Sequence, residues 1–109
     1  MTAEDFESWS TGRTLDYFVD GVLWGSEQRF TDRRTLDADA GGSCTAGYWF
    51  PDGDDICFVY EASPGPHCWR FWRDESRTLA EIVDNPDAPL AEVTLSDTPL
   101  ACPGPDVGV

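Results

Sequence analysis

A chain of 109 residues has room for one domain, and its 21 acidic side chains against seven arginines and no lysine give a net charge of −14. That balance excludes generic binding to a phosphate backbone, which needs Lys and Arg to release counterions, so no nucleic-acid partner is expected. Aromatic residues at 13% suit a compact core rather than a disordered chain, and no apolar run approaches a membrane span.

Residues 3–9 have the spacing of one or two helical turns, with Phe6 and Trp9 three apart on one side, and Ser10-Thr11-Gly12 ends them. From Arg13 onward the pattern has period two, the mark of half-buried strands. The first strand is Thr14 to Val19, with Leu15, Tyr17 and Val19 on one face and Asp16 on the other. Asp20-Gly21 is a hairpin signal. Further strands are expected over Val22 to Thr31, Arg34 to Ala38, Ser43 to Phe50, Asp55 to Ala62, His67 to Arg73, Thr78 to Val83 and Leu90 to Leu95. The breaks between them are Asp32-Arg33, Ala40-Gly41-Gly42, Pro51-Asp52-Gly53-Asp54, Ser63-Pro64-Gly65-Pro66 and Asp84-Asn85-Pro86-Asp87. About eight short strands joined by short turns predict an all-β fold: an antiparallel up-and-down meander, closed into a small barrel or split into two packed sheets. Strands of six or seven residues predict a small, largely filled interior. The single β domain is expected over 1–102, with a flexible tail at 103–109.

Cys44, Cys57, Cys68 and Cys102 make an even count with no C-x-x-C, which points to disulfides rather than a zinc or redox motif. Four cysteines allow three pairings. A hairpin symmetric about Ala62–Ser63 sets Cys57 opposite Cys68, Phe58 opposite His67 and Ile56 opposite Trp69, which leaves Cys44 with Cys102. In that register Ile56, Phe58, Tyr60, Trp69 and Phe71 gather on one face, the expected core. Disulfides persist outside the cytosol, so a periplasmic or secreted location is expected. Met1 is followed at once by Thr2-Ala3-Glu4-Asp5, with no leader; the expectation is a mature chain with its leader removed and Met1 added for expression.

No catalytic set stands out, and the chain is not expected to be an enzyme. Adjacent strand residues such as His67 and Cys68 point to opposite faces and cannot easily form a nucleophile pair. Cys44, Cys57, His67 and Cys68 lack metal-ligand spacing, so neither a metal nor a cofactor is expected. Glu27 and Arg29 share a side of the second strand with Leu23 and Gly25; facing inward, they would have to pair, and the pair could hold a polar headgroup. The competing face, Val22, Trp24 and Phe30, is as apolar, and with it inward Glu27 and Arg29 become a solvated pair. Glu27 and Arg29, with Tyr17, Phe58 and Trp69 of the aromatic face, form the candidate ligand-binding set.

The runs Gly12-Arg13-Thr14-Leu15-Asp16-Tyr17, Gly25-Ser26-Glu27, Cys44-Thr45-Ala46-Gly47-Tyr48-Trp49, Ile56-Cys57-Phe58-Val59-Tyr60-Glu61, Cys68-Trp69 and Pro103-Gly104-Pro105 resemble a group of small exported bacterial proteins of unknown function. The resemblance spans nearly the whole chain and implies a periplasmic setting and a lipocalin-like meander; it carries no functional residues. The chain departs from that group at Leu36, where the group has an aromatic residue, which implies a smaller filled interior. The expected function is a periplasmic binding or accessory domain, a monomer with a small apolar or amphipathic ligand in the barrel mouth. The alternative is an acidic interaction protein, an inhibitor or DNA mimic, that meets a basic protein partner through its carboxylates. Asp52, Asp54, Asp55, Asp74, Asp84 and Asp87 fall in apparent turns rather than in a stripe, which favours a merely solvating surface.

Overall fold

Alternation along the chain becomes eight antiparallel strands, each hydrogen-bonded to the next, and the eighth returns to the first to close a barrel. The computed structural model describes residues 1–39, 42–85 and 87–102. The tail expected to be flexible at 103–109 lies outside the described residues, as do Ala40, Gly41 and Pro86. A helix α1 (Ala3–Ser10) leads into β1 (Thr14–Val19), β2 (Val22–Arg29), a 3-10 turn (Thr31–Arg33), β3 (Arg34–Asp39), β4 (Cys44–Asp52), β5 (Asp55–Tyr60), β6 (Ser63–Asp74), β7 (Arg77–Ile82) and β8 (Ala91–Ser96). Closure is made by β1 on β8, with Leu15 opposite Leu95 and Tyr17 opposite Val93. It removes the exposed edges that a chain this aromatic would otherwise present to other chains.

One end of the barrel is plugged. The side chain and backbone of Thr2 and Asp5 cap α1 reciprocally: the Asp5 N–H donates to Thr2 Oγ1 at 3.0 Å and the Thr2 N–H to Asp5 Oδ2 at 3.1 Å. The backbone N–H bond from Thr2 holds the Asp5 carboxyl below its usual range. The capped helix drives Phe6 into the barrel, where its ring meets Phe71 at 4.7 Å, Trp49 at 5.3 Å and Phe58 at 6.3 Å between centroids. The Met1 ammonium donates to the Phe71 carbonyl at 2.8 Å and ties the start of the chain to β6. Phe6, Leu15, Trp49, Ile56, Phe58 and Phe71 are sealed from solvent, and each buried side chain of this size contributes roughly 1.5–3 kcal/mol.

Turn chemistry explains where strands end and where expectations shift. Asp20 (φ 52°) and Gly21 (φ 79°) both take the left-handed conformation of a tight hairpin turn. The second strand stops at Arg29 rather than Thr31, because Asp32 and Arg33 adopt φ of 65° and 61° and coil the chain. The fourth strand runs on through Pro51 to Asp52, and the turn is Gly53-Asp54 alone. β3 pairs with β4 only up to Tyr48, so a proline at 51 sits where one edge has no partner strand. The turn expected at Ser63-Pro64-Gly65-Pro66 lies at Glu61-Ala62 instead. The Pro-Gly-Pro stretch belongs to β6 as a bulge: Phe58 faces His67, whereas Tyr60 already faces Ser63. Prolines, lacking an N–H, fit where a ladder is interrupted.

Around the cysteines the register is Ile56–Trp69, Cys57–Cys68 and Phe58–His67. Disulfides join Cys57 to Cys68 and Cys44 to Cys102, with Cα atoms 4.0 and 5.5 Å apart. Among the described residues no helix is long and apolar enough to cross a membrane.

Candidate functional site

The expectation of a largely filled interior holds only for the plugged half. At the opposite end, between the β1–β2, β3–β4, β5–β6 and β7–β8 connections, the barrel opens into a cavity of about 590 Å3. The filled half is packed by Phe6 of α1 together with Leu15, Trp49, Ile56, Phe58 and Phe71 of the strands. Leu36 does not enter the interior; it pairs with Gln28 and Ala46 on the outer face, so its size leaves the cavity unchanged.

A bulge decides which face of β2 looks inward. Tyr17 pairs with Gly25, but Phe18 pairs with Leu23, so Trp24 is the extra residue. Below the bulge Gly25, Glu27 and Arg29 point into the barrel. Above it the parity is reversed: Leu23 is no longer on their side, and Trp24 turns toward the mouth, its ring 5.8 Å from Trp69. Both faces weighed from the sequence therefore contribute, each along a different stretch of one strand.

Arg29 is 1% exposed and Glu27 3%, and they form an ion pair of 3.0 Å between Nη1 and Oε1. The guanidinium lies over the rings of Phe6, Trp49 and Phe58 at 4.4, 5.0 and 5.4 Å, a cation-π setting that replaces part of its lost hydration. Its Nε and Nη2 have no hydrogen-bond partner. Glu27 is also met by two phenols, Tyr17 donating to Oε1 at 3.5 Å and Tyr60 to Oε2 at 3.4 Å. Burial, with the Glu27 charge next, raises both phenols well above the ordinary tyrosine range, so they remain donors.

Asp37 completes the cluster. It faces Glu27 across the β2–β3 ladder, and its Oδ1 is buried with no hydrogen-bond partner. Burial, then the charge of Glu27 and a hydrogen bond to it, push the Asp37 carboxyl up to about 10. Asp37 and Glu27 therefore do not both ionise at neutral pH, as expected where two carboxyls share one site. The interior holds one ion pair, one neutral carboxyl and two phenols.

Above this floor the wall is aromatic. Tyr17 lies 5.6 Å from Trp69 on one side, and Tyr60 stacks on His67 at 5.6 Å on the other. Ser63 Oγ is 3.2 Å from His67 Nε2 and fixes that ring at the rim. Of the residues singled out from the sequence, Tyr17, Glu27 and Trp69 line the cavity, whereas Arg29 and Phe58 lie beneath its floor. Asp37, Tyr60, Trp24 and His67 belong to the site and were not in that set. Tyr60 was legible as part of the aromatic face, but Asp37 was not: in Thr35-Leu36-Asp37, Leu36 is the apolar residue, and it faces out. Among the described residues no group of three His, Cys, Asp or Glu side chains is placed to hold a metal ion. Compared with protein-family models, with curated proteins and with solved structures, the chain matches none of them.

Proposed function

We propose that this protein is an exported binding domain whose barrel mouth holds a small amphipathic molecule. One observation carries the reading: a cavity of about 590 Å3, closed below by α1 and walled by Tyr17, Trp24, Tyr60 and Trp69, ends on a polar floor of Glu27 and Asp37. Binding pockets have this size and this mixture of apolar wall with a few convergent polar groups. The two disulfides suit an oxidising compartment. Glu27 is engaged by Arg29, Tyr17 and Tyr60, an arrangement that supports a fixed receptor rather than a free general base. The exposed acids give the acidic-surface alternative no concentrated face, since Asp52, Asp54 and Asp74 lie at turns of the plugged end and Asp20 and Asp84 at the open end.

Native mass spectrometry of the 12.1 kDa protein, taken from the exported fraction of its own cells, tests this reading. A retained small-molecule adduct that disappears in Thr45→Trp, a change at the cavity wall, is the expected result. Bare protein in both cases, or a complex with another protein that survives Thr45→Trp, would overturn it.

A further inference from the structure

We infer that the ligand is an organic cation: an ammonium group bearing at least one N–H, on an aromatic or apolar body. The inference rests on the binding reading above and specifies the chemistry of the same mouth. Four carboxyl side chains line the cavity, Glu27, Asp37, Asp39 and Asp84, and no arginine does. The one buried guanidinium, Arg29, is held against Glu27 and three rings below the floor and presents nothing to an incoming anion. The net charge of −14 concentrates cations at such a mouth and repels anions.

Two features set the shape of the cation. The Asp37 Oδ1 is buried and unpartnered, and a ligand N–H reaching the floor would supply the missing donor, as a quaternary ammonium could not. The rings of Trp24, Trp69 and Tyr17 line the cavity with neighbouring centroids 5.6–5.8 Å apart and tilted planes, an aromatic wall that suits an apolar body and a cation.

The charge balance follows from what faces Asp37. Glu27 on β2, Tyr60 on β5 and Tyr17 on β1 surround it, Arg29 lies beneath, Asp39 is on its own strand, and His67 on β6 and Asp84 after β7 stand at the rim. Glu27 is already paired with Arg29, so an added positive charge is balanced by Asp37. Its O–H bond breaks, the proton leaves to solvent, and the carboxylate pairs with the ammonium.

Isothermal titration calorimetry of the intact oxidised protein at pH 7.5, with three probes of one shape, tests the proposal: 2-(1-naphthyl)ethylammonium, 2-(1-naphthyl)ethanol and 1-naphthylacetate. The ammonium is expected to bind at least tenfold more tightly than the alcohol, and the carboxylate most weakly. Titration in phosphate and in Tris is expected to show proton release with the ammonium and none with the alcohol. Asp37→Asn should cut the ammonium's advantage over the alcohol at least fivefold and remove the proton release; Asp39→Asn, at the exposed rim, should weaken the ammonium two- to threefold and serves should Asp37→Asn fail to fold. Alcohol or carboxylate binding as tightly as the ammonium would overturn the cation and leave the pocket standing. Three probes that all fail to bind, or that bind Thr45→Trp equally well, would overturn the pocket itself.

Discussion

Glu27 and Arg29 stand two residues apart on β2, and both point into the barrel, where Oε1 and Nη1 meet at 3.0 Å out of reach of solvent. Residues two apart on a strand share a face, so this pairing follows directly from the strand's period. A buried pair of this kind is strongly coupled, because removing one partner strands the other charge. Glu27→Gln and Arg29→Met are each expected to lower stability by about 3–5 kcal/mol. The double variant should lose much less than the sum, since it buries no unpaired charge and Met still fills the space under Phe6 and Trp49. Urea unfolding of the four proteins measures the coupling; additive losses would contradict a buried pair.

The raised carboxyl of Asp37 has a definite sign in the pH dependence of stability. In the unfolded chain Asp37 titrates near 3.8, and in the folded protein near 10. Between those values the folded state holds one more proton than the unfolded state, so stability falls as pH rises through that window. Asp37→Asn removes the linkage. The variant should match the parent near pH 4 and gain on it steadily up to pH 8, by up to about 1.4 kcal/mol for each pH unit in that window. Thermal melts from pH 5 to 8.5 avoid the acid range in which Asp5 titrates. Parallel curves for parent and variant across that range would refute the assignment.

How far these features were legible in the sequence depends on what each one rests on. Strand number, the up-and-down order, the Asp20-Gly21 turn and the Cys57–Cys68 register stand as expected, whereas closure, which rests on β1 meeting β8, was one of two alternatives, and the β5–β6 turn lies two residues earlier than its Pro-Gly-Pro signal suggests. The inward face of β2 was not decidable, because a single bulged residue, Trp24, reverses parity partway along the strand. Asp37 was hidden for a related reason: hydrophobicity favours Leu36 as the inward residue of β3, yet the Glu27–Asp37 pairing is set by the neighbouring strand. A ligand in the barrel mouth was an expectation, but the size of the cavity was not legible, because strand length alone does not say which inward side chains are small.

Phe6 is the stopper of the closed half, and its ring touches Trp49, Phe58 and Phe71 and lies under the Arg29 guanidinium. Phe6→Ala should destabilise the fold by about 3–5 kcal/mol through the cavity it leaves. It should also let water reach Arg29 and Trp49 from below. Iodide quenching of tryptophan fluorescence is expected to rise in the variant under conditions where it is still folded. Unchanged quenching would mean that α1 does not seal this end.

The two disulfides cross-link loops of very different length, with sequence separations of 11 and 58. On the chain-entropy model, Cys57→Ser with Cys68→Ser costs about 3 kcal/mol and Cys44→Ser with Cys102→Ser about 4 kcal/mol. The longer bridge also ties the segment after β8 to β4 beside the cavity, since Cys44 lines the mouth. Its loss should therefore weaken ligand retention as well as stability, whereas loss of the hairpin bridge should lower stability alone. Guanidinium midpoints measured beside adduct retention in native mass spectrometry separate the two effects.

Gly47 leaves no room for a side chain between β3 and β5, next to Tyr60 of the site. It pairs with Thr35 on β3 and Tyr60 on β5. A Cβ built there would collide with the Val59 carbonyl and stand 2.9 Å from the Tyr60 ring and 3.1 Å from Thr35 Oγ1. The carbonyl is backbone held in a ladder and cannot turn aside, so Gly47→Ala must shift β5 or the Tyr60 ring. Overpacking of this kind costs about 1–3 kcal/mol. Because Tyr60 donates to Glu27 and stacks on His67, the same shift loosens the floor and rim of the mouth together. A lowered melting temperature with weakened binding of the naphthyl probes is the expected pair of results, and a variant that keeps both would show that β4 and β5 are not in such close contact.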